Sequence, residues 1–243
     1  MAYEPGMGYL AVGTSAGTVH LFGSPCVRMA LTLRPALRVK HILFKSDTYL
    51  MICIDEKDNL NVYDLSRRDP HAAAMHGARR AAPGQTQMTN SDAPMRIGIH
   101  SARNVVLCAE VTSIHSMLFL GLTDGSVEAY DLERFCGTQY RIPNLWWNEE
   151  EILRRSQVPN APSRLHTPLI IDIQTHPRDP GILLLCYEGG AVIYSIRQST
   201  AIHVFQLRLL PGAPGPVPSA PLEEVWSERL CPATAISWSP CGT

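Results

Sequence analysis

Leu118-Phe119-Leu120-Gly121-Leu122-Thr123-Asp124-Gly125-Ser126-Val127-Glu128-Ala129-Tyr130-Asp131 is the stretch whose reading decides the fold of this chain. An apolar run fills its first part, Asp124-Gly125 interrupts it, and an alternating run closes on an aromatic residue and an aspartate. A pair of residues tolerant of positive φ between two strand-like runs is the chemistry of a β-hairpin. The same form occurs three more times. Tyr9-Leu10-Ala11-Val12-Gly13 passes through Ala16-Gly17 into Thr18-Val19-His20-Leu21-Phe22. Tyr49-Leu50-Met51-Ile52-Cys53-Ile54 passes through Asp58-Asn59 into Leu60-Asn61-Val62-Tyr63-Asp64. Ile182-Leu183-Leu184-Leu185-Cys186-Tyr187 passes through Gly189-Gly190 into Ala191-Val192-Ile193-Tyr194-Ser195.

The closing positions Phe22, Tyr63, Tyr130 and Ser195 stand 41, 67 and 65 residues apart. The first spacing matches the roughly 40–45 residues of a four-stranded propeller blade. The excess in the others falls where composition changes, in 66–103 and in 143–167. Val39-Lys40-His41-Ile42-Leu43-Phe44 and Val105-Val106-Leu107-Cys108-Ala109 supply first strands for the middle repeats. Tyr3-Glu4-Pro5, His176-Pro177 and Trp238-Ser239-Pro240 put a proline, which cannot donate to a sheet ladder, at the exit of a strand. Tyr63-Asp64 and Tyr130-Asp131 resemble the Trp-Asp ending of WD repeats. The expected fold is all-β: an incomplete, unclosed WD-repeat β-propeller of about four blades. Its blade pieces are expected at about 2–33, 37–65, 104–142, 168–210 and 233–243, with insertions at 66–103 and 143–167 and a proline-rich interblade loop at 211–221.

Composition narrows the function. Hydrophobic residues make up 45% and charged residues 18% of the 243, which excludes a wholly disordered chain. A net charge of -1 removes the broad electrostatic case for nucleic acid. Seven cysteines without a C-x-x-C pair, several within apolar runs, read as small buried hydrophobes in a reducing cytosol. The first six residues have neither a basic start nor an apolar core, so they do not read as a signal peptide. The expectation is a cytoplasmic protein.

In register, the repeats resemble one WD-repeat family, lethal giant larvae and tomosyn, and most closely its fungal exocytosis branch. The residues that carry the resemblance begin with Ala2-Tyr3-Glu4-Pro5, Leu10-Ala11-Val12-Gly13-Thr14 and Gly17-Thr18-Val19-His20-Leu21-Phe22-Gly23. Further along come Tyr140-Arg141-Ile142-Pro143-Asn144-Leu145-Trp146, His176-Pro177-Arg178-Asp179 and Tyr187-Glu188-Gly189-Gly190-Ala191-Val192-Ile193-Tyr194-Ser195. Pro211-Gly212-Ala213-Pro214-Gly215 completes the set. The resemblance implies a scaffold without catalysis or cofactor. It also implies binding of plasma-membrane SNARE proteins and a secretory Rab GTPase, control of vesicle tethering and fusion in polarised exocytosis, and a place in the cytoplasm or at the plasma-membrane periphery. It covers the early part of the family's first propeller. With a strand remnant at Ala2-Tyr3-Glu4-Pro5 and an opening blade at Ile236-Ser237-Trp238-Ser239-Pro240, the chain is expected to be an N-terminal fragment, open and unstable by itself.

Candidate sites follow from the insertions. Trp146-Trp147, followed by Asn148-Glu149-Glu150-Glu151 and then Arg154-Arg155, reads as a partner-binding stretch, because tryptophan is enriched in binding hot spots. An alternative is a tryptophan covering the edge of its own blade. In 66–103, Arg67, Arg68, Arg79, Arg80, Arg96 and Arg103 against Asp69 and Asp92 could suit weak contact with anionic lipid, but their dispersal favours a solvated, partly disordered loop. Pro211-Gly212-Ala213-Pro214 and Pro218-Ser219-Ala220-Pro221 satisfy P-x-x-P, but an interblade loop accounts for them as well. Gly13-Thr14-Ser15-Ala16-Gly17 matches the nucleophile elbow of Ser hydrolases, which needs a helix next; an alternating strand-like run follows instead. His71 and His76 lack the convergent ligands zinc requires. His176, at a strand end, reads as a packing residue. A WD-repeat adaptor in another pathway is the alternative function, and the Ile142-Pro143-Asn144-Leu145-Trp146 segment argues against it.

Overall fold

The computed structural model describes residues 1–23, 27–68, 94–112, 116–145, 169–188 and 190–206. Among them sixteen strands form four four-stranded antiparallel sheets. The first holds β1 (Ala2–Glu4), β2 (Tyr9–Gly13), β3 (Thr18–Gly23) and β4 (Val27–Thr32), in that order. The second holds β5 (Val39–Phe44), β6 (Leu50–Asp55), β7 (Asn59–Arg68) and β8 (Pro94–Ser101). The third holds β9 (Val106–Thr112), β10 (Met117–Leu122), β11 (Val127–Asp131) and β12 (Cys136–Ile142). The fourth holds β13 (Ile170–Thr175), β14 (Ile182–Tyr187), β15 (Gly190–Ser195) and β16 (Thr200–Gln206). Each is an up-and-down meander, the form of a β-propeller blade.

The second strand of each blade explains why the repeat is audible in sequence. In β6, β10 and β14 every residue after the first is buried, on both faces, so the strand must be apolar throughout. The turns obey the φ requirement. Gly17, Asp58 and Gly125 adopt φ of 77°, 60° and 74° between the second and third strands of their sheets. Gly189 of the fourth turn lies outside the described residues. A polar side chain locks each described turn. Thr14 Oγ1 accepts from Thr18 N at 3.0 Å, Asp55 Oδ1 from Lys57 N at 2.9 Å, and Asp124 Oδ1 from Ser126 N at 3.0 Å.

Contacts divide the chain into two compact units, with the third sheet contributing to both. The first comprises Met1–Val105, Val111–Leu118 and Tyr130–Thr138. Its core joins Ala11, Val19, Leu21 and Leu31 of the first sheet to Ile42, Met51, Cys53 and Tyr63 of the second. Gly13 permits this approach, because a Cβ there would stand 2.6 Å from Val39 Cγ1. Lys45 Nζ donates to Ser116 Oγ at 2.6 Å, and Ser116 donates to Glu133 Oε1 at 2.8 Å, a polar relay between the second and third sheets. The same unit holds a defect: the Tyr130 hydroxyl is buried without a hydrogen-bond partner, its ring 5.2 Å from that of His100. Replacing Tyr130 by Phe removes a desolvated group that makes no bond. Chemical denaturation of Tyr130→Phe is therefore expected to show stability unchanged or raised by up to roughly 1 kcal/mol.

The second unit comprises Val106–Glu110, Phe119–Ala129 and Gln139–Thr243. Leu183, Leu185, Val192 and Tyr187 are fully buried within it. Close approach again needs a glycine, since a Cβ on Gly121 would meet Ile170 Cγ2 at 2.8 Å.

Strand β8 differs from the sequence reading. It occupies the last part of 66–103, read above as insertion, and β7 runs on to Arg68. The outer strand carries only a half-exposed, alternating pattern broken by Gly98 and opened by Pro94, so pairing with β7 rather than local composition makes it a strand. The thiols also divide. Cys53, Cys108 and Cys186 are buried, with burial pushing Cys53 and Cys186 up to about 12, whereas Cys136 is exposed, contrary to the buried reading.

Candidate functional site

The segment from Tyr140 to Leu145 leads out of β12 toward residues 146–168, and nearly every residue in it is fixed. Ile142 is fully buried. The Tyr140 ring meets Phe119 edge-on at 6.4 Å, and its hydroxyl lies 3.4 Å from both the Tyr194 hydroxyl and the Ile196 carbonyl. Arg141 folds back over the turn between β10 and β11. Its Nη2 donates to Asp124 Oδ2 at 2.7 Å and to Ser126 Oγ at 3.0 Å. Asn144 Nδ2 donates to the Asp124 carbonyl at 3.1 Å. Burial alone would raise Asp124; the hydrogen bonds from Ser126 and the Arg141 charge outweigh it and hold the carboxyl below its usual range. Both ion-pair partners remain partly solvated, so the pair itself contributes no more than about 1 kcal/mol and acts chiefly as geometry.

Two adjacent residues of the fourth sheet complete the arrangement. Tyr187, fully buried at the end of β14, donates its hydroxyl to the Gly125 carbonyl at 3.1 Å. Burial pushes this phenol well above its usual range, and a hydrogen bond with the Leu145 backbone opposes the rise. Glu188, the next residue, receives the other end of the segment. Its backbone N donates to the Leu169 carbonyl at 3.0 Å, and its Oε2 accepts from Leu169 N at 3.3 Å. Leu145 and Leu169 thus each bond one of two consecutive residues, Tyr187 at the end of β14 and Glu188 just after it.

Trp146, Trp147, Arg154 and Arg155, the residues read as partner-binding, lie outside the described residues, as do His71, His76 and the proline-rich 211–221. Of the basic residues in 66–103, Arg67 pairs with Asp64 at 3.2 Å, and Arg96 Nη1 donates to the Arg34 carbonyl at 2.9 Å. Ser15 sits in the turn between β2 and β3, where a strand rather than a helix follows, so no nucleophile elbow forms. His176 caps its own turn: Nδ1 accepts from Arg178 N at 3.1 Å and Asp179 N at 2.9 Å. Among the described residues no group of three or more His, Cys, Asp or Glu could hold a metal ion. The clamp residues Asp124, Arg141, Tyr187 and Glu188 were not singled out by sequence as a site. Only Asp124-Gly125-Ser126 carried a local signal, an aspartate able to bond the backbone two residues on.

Known proteins extend the picture. No protein-family model matches the chain. An uncharacterised protein of Schizosaccharomyces pombe is 25% identical over 235 residues, 97% of this chain and 20% of that protein. The lethal(2) giant larvae protein homolog SRO77 of Saccharomyces cerevisiae is 28% identical over 206 residues, 85% of this chain and 17% of its own length. The human LLGL scribble cell polarity complex component 2 is 24% identical over 237 residues, 94% of this chain and 20% of its own length. The chain therefore spans about a fifth of these relatives. Among solved structures, a chain in the crystal structure of the mitotic checkpoint complex superposes with a TM-score of 0.55 at 10% identity, covering 84% of this chain and 49% of its own. That similarity is one of fold alone.

Proposed function

We propose that this chain, a relative of the lethal giant larvae proteins over most of its length, is a non-catalytic scaffold that regulates SNARE-dependent vesicle tethering and fusion in polarised exocytosis. The observation that carries the reading is the clamp. Arg141, Asn144, Tyr187 and Glu188 anchor the residues that flank 146–168, which supports a role for that stretch in contact with a partner. Residues 146–168 begin with Trp146-Trp147 and continue through three glutamates to Arg154-Arg155, a composition suited to a protein partner. The partners are a plasma-membrane SNARE and a secretory Rab GTPase. The protein works from the cytoplasm at the plasma-membrane periphery, with the basic residues of 66–103 adding weak lipid contact. Membership of a cell-polarity complex, which the human relative carries in its name, accords with this role.

The test is affinity capture from cell lysate on the purified chain. A plasma-membrane SNARE or secretory Rab should be enriched, and the Trp146→Ala/Trp147→Ala double variant should lose at least about tenfold of that capture, as expected when two hot-spot side chains are removed. Recovery of neither protein on the intact chain would overturn the proposal.

A further inference from the structure

We propose that β16, the outer strand of the fourth sheet, pairs antiparallel with β16 of a second copy of this chain and joins two sheets edge to edge. One edge of the strand is taken by β15, and among the described residues no strand pairs with the other. The backbone N–H and C=O groups along such an edge are a template for a further strand. The side chains suit the same use. Every residue from Thr200 to Phe205 is exposed, with Ile202 at 52%, Val204 at 46% and Phe205 at 45%. β1, β3 and β8 each expose one large apolar side chain, Tyr3, Phe22 and Ile99, and β16 alone among the described strands exposes three.

Charge and sequence choose the partner. The other outer strands each carry an arginine, Arg28 in β4, Arg96 in β8 and Arg141 in β12, and a charge on an edge opposes pairing. The segment Thr200–Gln206 has no lysine, arginine, aspartate, glutamate or proline. It also complements itself when reversed. An antiparallel register centred on His203 sets Ile202 opposite Val204, Ala201 opposite Phe205 and Thr200 opposite Gln206. Branched then meets branched, small meets large, and polar meets polar at both ends. A shift of one position puts His203 opposite Val204 or Ile202 and breaks the match. The two copies are related by a two-fold axis through His203, an isologous contact. It is a small one. Seven residues at about 3.4 Å each, with a sheet about 10 Å thick, give roughly 240 Å² per copy, well below the ~1,200 Å² total of a stable complex. Association is therefore weak and concentration-dependent.

Sedimentation equilibrium of the whole chain, from about 1 µM to about 1 mM, tests this. The apparent mass should rise toward that of a dimer at the upper end. Val204→Lys, at a position already exposed, should leave the far-ultraviolet circular dichroism unchanged and weaken association at least about tenfold. His203→Cys reads the register, because opposed Cα atoms in an antiparallel pair stand about 4.5–5.5 Å apart, within reach of a disulfide. Oxidised glutathione should join two chains of this variant through residue 203, identified by mass spectrometry of the linked peptide, whereas Thr200→Cys should not link to itself. A chain that stays monomeric throughout, as when residues 207–243 or a different protein hold this edge, overturns the proposal. So does association that Val204→Lys leaves intact, or the absence of a link between the two copies of position 203.

Discussion

Gly17→Ala should unfold the first sheet's turn and lower the stability of the chain by about 2–5 kcal/mol, combining the cost of left-handed backbone for an L-residue with that of overpacking. Two constraints meet at this position. Its φ is 77°, and a Cβ built there would stand 2.7 Å from Leu37 N and Leu37 O and 2.8 Å from Ala36 C. Those atoms belong to backbone, which cannot rotate aside as a side chain can. The surrounding bonds make the loss cooperative: Leu33 N donates to Gly17 O at 2.8 Å, and Val39 N to Thr14 O at 3.2 Å. Urea unfolding followed by far-ultraviolet circular dichroism measures the effect. A loss under about 1 kcal/mol would mean that the turn relaxes away from Ala36-Leu37 without penalty.

Tyr187 separates packing from anchoring. Tyr187→Ala should cost about 3–5 kcal/mol, as large-to-small changes at fully buried aromatics do. Tyr187→Phe keeps the ring and deletes only the hydroxyl, leaving the buried Gly125 carbonyl without its partner, for about 1–3 kcal/mol. The two should differ in a second respect. The Phe variant retains the fold but releases Leu145, so limited proteolysis should cut within 146–168 faster while leaving the blades intact. If the Phe variant resisted proteolysis as well as the wild type, the hydroxyl would have no part in holding the segment.

Much of this architecture could be heard in the sequence because it depends on local alternation. β6, β10 and β14 are buried on both faces and therefore spell unbroken apolar runs, and the turns after them need residues that accept positive φ. β8 was silent for the opposite reason. It lies at the outer edge of its sheet, with Arg96 and Ile99 exposed and Gly98 set close against Phe135, and only pairing with β7 makes it a strand. The site divided likewise. Tyr140 to Trp146 stood out by resemblance, yet its partners lie 17, 20 and 54 residues away in Asp124, the Asp124 carbonyl and Tyr194. No periodicity encodes a contact that forms only when two blades stand side by side.

Leu145 and Leu169 bond the consecutive residues Tyr187 and Glu188, so the length of chain between these two anchors should matter little to the stability of the blades. Doubling the length of such a segment adds only about 0.6 kcal/mol of closure entropy. In entropic terms the blades thus tolerate segments of very different length at this position.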